Sequence, residues 1–149
     1  MRTCMTRCIV TFALSALTFA VAPRALMAGD ADALCPLGNE TLHGNYMSRA
    51  TGTFVGVGPV TAVGRSAYDG KGNFVNPYTV SVNGVISTAT EIGTYTVNSD
   101  CTGSVTGTDG AHYHFVVTPD GRRFDWIATN PGRVFSGTAI RLTLQLDDD

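Results

Sequence analysis

From Leu42 onward, apolar and polar residues alternate in short runs, and each run closes on turn-forming residues. Alternation with period two, broken by Gly, Pro, Asn and Asp, is the pattern of half-buried β-strands. It predicts eight of them: about Gly44 to Val57, interrupted at Gly52; Val60 to Tyr68; Phe74 to Val82, with a break at Pro77; Val85 to Val97; Gly103 to Thr108; Ala111 to Val117; Arg122 to Thr129; and Arg133 to Leu144. Asn83-Gly84 is a strong type I′ hairpin signal, and Asp109-Gly110 is a second hairpin. A helical reading is poor, because Gly, Pro and β-branched residues recur every few positions.

Short turns between consecutive strands imply antiparallel neighbours. An eight-strand meander leaves two raw edges unless its first and last strands pair. The expected architecture is therefore all-β: one small antiparallel up-and-down barrel, preceded by a short irregular or helical segment within Gly29 to Leu42. A two-sheet sandwich is the alternative, but it normally uses longer crossovers than this chain contains. One set of strand faces is aromatic and aliphatic: Phe74, Tyr78, Val80 and Val82; Tyr95 and Val97; Phe124 and Trp126. The opposite faces carry Thr79, Ser81, Thr88, Thr90, Thr94 and Thr96. That Thr-rich exterior, and an ending in Asp rather than an aromatic residue, argue against an outer-membrane barrel.

The N-terminus has a different texture. Arg2 and Arg7 precede an apolar stretch from Ile9 to Ala22, and small residues follow at Ala25 and Ala28. This is the pattern of a cleaved secretory signal, and the stretch is short for a membrane span. The expected organisation is a signal over 1–28, a leader over 29–41, the barrel over 42–146 and an acidic tail over 147–149. No second apolar run follows, so no transmembrane segment is expected after cleavage. The chain is expected to be exported, to the periplasm or beyond.

Composition sharpens this reading. Among 149 residues there are 17 glycines, 15% charged residues and a formal charge of −2. A nucleic-acid partner is not expected at that charge, nor is a coiled coil with so few Lys and Glu. Cleavage would remove Cys4 and Cys8, leaving Cys35 and Cys101. Two cysteines in an exported domain are expected to pair, and only one intramolecular pairing exists.

The segment Gly93-Thr94-Tyr95-Thr96-Val97-Asn98-Ser99-Asp100-Cys101-Thr102-Gly103 carries a GxYxVxxDCTG signature. With Leu42-His43-Gly44-Asn45-Tyr46, Tyr68-Asp69-Gly70-Lys71-Gly72, Val82-Asn83-Gly84, Pro131-Gly132 and Ser136-Gly137, it resembles a group of small, uncharacterised exported bacterial proteins. That group is similar in pattern to calycin-type and allene-oxide-cyclase-like barrels. The resemblance spans Leu42 to Leu142 and implies a closed barrel. It transfers no catalytic residue.

Candidate chemistry is sparse. His112-x-His114 on a strand points both imidazoles one way and forms half a metal site, with His43 or Glu91 as third ligand. The alternative is a pair of histidines holding no metal, and no metal or other cofactor is expected. By alternation Glu91 falls on the same face as Tyr95 and Val97; the alternative is an exposed glutamate after a register shift or bulge, and Arg141 in the last strand carries the same ambiguity. An inward carboxylate would have a raised pKa and could act as acid or base. An inward Arg141–Glu91 pair is conceivable. Asp125, with Arg122, Arg123 and Arg133, could form an anion patch or ordinary solvated ion pairs. No GxSxG motif or phosphate loop is present. The expected function is non-catalytic: a monomer that binds a small apolar or amphipathic ligand through Tyr78, Glu91, Tyr95, Trp126 and Arg141, or a structural module that meets a cell-surface or host protein. The alternative is a cyclase- or isomerase-like enzyme acting on an apolar substrate.

Overall fold

The computed structural model describes residues 33–143. The signal assigned to 1–28, the start of the leader and the acidic tail lie outside the described residues. A short 3-10 turn, η1 (Gly38–Thr41), is followed by β1 (His43–Phe54), β2 (Gly58–Asp69), β3 (Asn73–Val82), β4 (Val85–Val97), β5 (Thr102–Gly107), β6 (His112–Val117), β7 (Arg123–Ala128) and β8 (Arg133–Arg141). Each strand pairs antiparallel with the next. β8 then pairs with β1, Ile140 opposite Met47, and the sheet closes into an eight-strand barrel.

Several strand bounds differ from expectation. β1 stops at Phe54 rather than Val57, because Val55 to Val57 make the turn, with the Val57 N–H donating to the Phe54 carbonyl at 3.0 Å. Gly52 does not interrupt β1; its backbone is extended and it stays in register with Phe135. Pro77 does not break β3. It sits where the β2–β3 register lapses between the Gly64–Tyr78 and Ala67–Val75 pairs, so its missing N–H costs no ladder bond. β8 ends at Arg141 rather than Leu144. At Asn83-Gly84 both φ values are positive, +48° and +85°, as a type I′ turn requires.

The abundance of glycine has a packing explanation. Five glycines stand directly across the ladder from large aromatic side chains: Gly52 from Phe135, Gly64 from Tyr78, Gly93 from Phe74, Gly103 from Phe115 and Gly137 from Trp126. At each, an added Cβ would run into that aromatic side chain. The narrow interior is thus filled by rings laid over bare backbone, which also lets the sheet curve tightly.

The two ends of the barrel are unlike. At one end η1 and the leader form a plug. The Cys35–Cys101 disulfide ties it to the β4–β5 turn. The Tyr95 hydroxyl donates to the Leu42 carbonyl at 2.7 Å, and Asn39 Oδ1 accepts the Val97 N–H at 2.8 Å. Beneath the plug lies the core of Leu42, Tyr46, Tyr68, Phe74, Phe115 and Phe124. Tyr68 stacks edge-on against Tyr46, Tyr95 and Phe124. The other end is open and cut obliquely. β1 to β4 run 10 to 13 residues, whereas β5, β6 and β7 run 6 each. β4 meets β5 only from Gly93 onward, and β8 meets β7 only from Ser136.

Candidate ligand-binding cavity

Alternation carries the inward face of every strand past the core and into the open half. There the side chains thin out and leave a cavity of about 300 Å³. Tyr68, Phe74 and Phe124 form its floor; Tyr78, Tyr113, Trp126 and Phe135 form much of its wall. Tyr113 meets Trp126 edge-on, with ring centroids 5.0 Å apart, and Trp126 packs against Phe135 in the same way. The volume lies at the lower end of what small-ligand sites use.

Polar groups enter this lining at few places. Ser66, buried on β2, donates through Oγ to Asn76 Oδ1 at 3.1 Å, filling the gap in the β2–β3 ladder. Glu91 projects from β4 where β4 and β5 part. Its Oε1 is closed off from solvent and has no hydrogen-bond partner among the described residues. Gly107 makes room for it: a Cβ there would stand 2.7 Å from Glu91 Oε1 and 2.6 Å from Asp109 Oδ1. Two carboxylates therefore crowd onto one glycine at the cavity mouth. Burial pushes the Glu91 pKa up, and the charge of Asp109 adds to the rise. Hydrogen bonds from Tyr113 and Asn76, and the positive charge of Arg133, act in the opposite direction. The Tyr113 phenol is also raised, first by burial and then by the negative charge of Glu91. Arg133 lines the mouth from β8, across the barrel from β4.

The structure brings Tyr78, Glu91 and Trp126 together around the cavity. Tyr95 and Arg141 instead belong to the plugged end. Tyr95 holds η1, and burial raises its pKa to about 12. Arg141 donates to the Tyr46 hydroxyl at 3.0 Å and to the Thr41 carbonyl at 3.1 Å, with its guanidinium over the Tyr46 ring. An Arg141–Glu91 pair does not form. His112 and His114 point outward near the mouth, His43 lies at the plugged end, and Glu91 is inside, so the four never converge. Among the described residues no group of three potential ligands is placed to hold a metal ion. Arg123 pairs with Asp125, and Arg122 with Asp120, both in solvent, while Arg133 is remote from them. Two further residues, Tyr113 and Asp109, belong to the site without standing out in the sequence. Counting back by twos from Val117 and Phe115 places Tyr113 inside, whereas Asp109 reads as an ordinary hairpin residue.

No protein-family model matches the chain, and no curated protein matches it. Among solved structures it is similar to a de novo designed fluorescence-activating β-barrel, at 14% identity and a TM-score of 0.47, covering 70% of this chain and 96% of the designed one.

Proposed function

We propose that this chain is an exported, non-catalytic barrel that holds a small apolar or amphipathic ligand in its open half. The cavity is the observation that carries the reading. A barrel serving only as a scaffold has no need to leave aromatic walls unfilled, because packed interiors leave few voids larger than a water molecule. Here the plugged half is filled by Phe74, Tyr95 and Phe124, while Tyr78 and Trp126 border open space. The disulfide supports an oxidising destination, in keeping with the signal pattern of the first 28 residues. The motif resemblance to small exported bacterial proteins agrees with both.

Trp126 is the chain's single tryptophan and lines the cavity, so it reports occupancy directly. Titration with an apolar fluorescent dye should quench or shift Trp126 emission saturably. Ala62→Phe, which places a ring in the cavity wall, should abolish the response while leaving the fold intact. A dye response unchanged by Ala62→Phe would locate binding elsewhere and overturn the reading. The enzyme alternative draws on one observation, the Glu91 carboxylate facing the Tyr113 phenol inside an apolar chamber, an arrangement able to shuttle a proton. Turnover of a bound apolar probe, lost in Glu91→Gln, would establish it.

A further inference from the structure

Resting on the ligand-binding reading, we propose that the cavity selects an apolar amine: a compact hydrocarbon body carrying a protonated ammonium group, received by Glu91 at the β4 wall and by Asp109 at the rim. Glu91 lines the cavity, and although Tyr113 and Asn76 act on its carboxyl group through hydrogen bonds, its Oε1, turned toward Gly107, has no hydrogen-bond partner among the described residues. A buried carboxylate oxygen without a donor is costly, and a ligand toward which the Glu91 carboxyl group turns recovers that cost by supplying the missing donor. An ammonium group supplies up to three donors and a compensating charge, and charge-assisted bonds are the stronger kind. The same ammonium faces a second carboxylate: Asp109 shares the Gly107 surface with Glu91, and with its Oδ1 accepting the Ala111 N–H at 2.9 Å it offers the ligand its charge and its other oxygen.

The surrounding walls suit a cation as well. Tyr78, Tyr113 and Trp126 expose rings to the cavity, and aromatic faces attract ammonium groups. Two arginines border the cavity: Arg49 lies on the exposed, outward register of β1, whereas Arg133 lies on the inward register of β8, on the far wall, and makes no ion pair with Glu91 among the described residues. The mouth therefore has an anionic side at β4 and the β5–β6 turn, and a cationic side at β8. An ammonium ion is drawn to the first, and its hydrocarbon body lies against Val60, Val80 and Val82. A carboxylate ligand would find one inward arginine, Arg133, and two repelling groups.

Three probes with one body separate the possibilities: phenylbutylamine, phenylbutanol and phenylbutyrate, titrated against Trp126 fluorescence at neutral pH. The expected result is that the amine binds about tenfold or more tighter than the alcohol, and that phenylbutyrate binds weakest. Glu91→Gln should erase the preference for the amine while retaining alcohol binding, which also shows that the variant is folded. Equal binding of amine and alcohol, or an amine preference that survives Glu91→Gln, would overturn the amine assignment and leave the cavity reading standing. Failure of all three probes to reach Trp126 would overturn both.

Discussion

Gly103 on β5 lies directly opposite Phe115 on β6, and the Phe115 ring covers the space where a Gly103 side chain would project. The pair shows how a barrel this narrow accommodates its rings. Replacing Gly103 with Ala should destabilise the protein by about 1–3 kcal/mol, the usual range for overpacking a filled interior. Gly110, with open space around its Cβ position, provides the contrast for packing, although its φ of +82° makes any side chain strained there for a backbone reason. Urea unfolding of Gly103→Ala, alone and with Phe115→Leu, separates overlap with the ring from the clash with the Thr96 carbonyl, which the second change leaves in place. The second change should restore part of the loss if ring overlap is responsible.

The Cys35–Cys101 bridge closes a separation of 66 residues and fastens the plug to the β4–β5 turn. By loop entropy it should contribute about 4 kcal/mol, with strain or residual structure lowering the figure. Cys35→Ser with Cys101→Ser should lower the melting temperature while leaving a β-dominated circular dichroism spectrum. Mass spectrometry of the oxidised protein should recover the two cysteines in one linked peptide pair.

At the plugged end the Tyr46 hydroxyl donates to the Gly121 carbonyl at 2.6 Å and accepts from Arg141. Tyr46→Phe removes one oxygen and leaves two buried or half-buried groups without their partner. The expected cost is about 1–3 kcal/mol. Tyr46 packs behind the Tyr68 and Phe124 rings of the cavity floor, and the substitution keeps its ring, so dye affinity at Trp126 should not change. A large loss of affinity in Tyr46→Phe would mean that the two ends are coupled.

Glu91 gives a pH signature of defined sign. Its pKa is higher in the folded barrel than in the unfolded chain, so the folded state holds its proton more tightly. That contribution to stability is fully present below the ordinary glutamate value of 4.5 and is lost as pH rises through the raised folded value. Asp69, Asp100, Asp120 and Asp125 titrate with lowered values and act in the opposite sense, losing their stabilisation as pH falls. The difference between wild type and Glu91→Gln isolates the first effect. Glu91→Gln should be the more stable protein near neutrality, and the advantage should shrink on acidification. An advantage independent of pH would show that the carboxyl group is not the cause.

Much of this barrel is legible in its sequence because alternation, hairpin dipeptides and turn lengths all act locally. Asn83-Gly84 points to one answer, and the Thr residues of β3 and β4 face out, but Val63, Val75, Ile92, Val116, Ile127 and Ile140 share that exterior, which is less polar than the Thr pattern alone implies. The GxYxVxxDCTG segment also resolves into structural parts. Gly93 underlies Phe74, Tyr95 and Val97 hold η1, Asp100 Oδ1 accepts the Thr102 N–H at 3.0 Å, Cys101 forms the bridge, and Gly103 underlies Phe115. The site is harder to read. Alternation says that Glu91, Tyr95 and Arg141 point inward, but not how far along the axis each one sits. Height along the barrel depends on stagger between strands, a property of the closed sheet as a whole. Tyr95 and Arg141 therefore fall at the plug, and Asp109 reaches the mouth from a turn with no periodicity to expose it.

The pairing of β8 with β1 sets Ile140 beside Met47, with nearly the whole described chain between them. Every other ladder joins neighbours and can zip soon after its hairpin forms. This seam must wait for the last strand to exist and then search across the full length of the molecule. The barrel's interior, cavity included, is enclosed only where β8 meets β1, so the cavity belongs to the closed sheet and to no smaller piece of it.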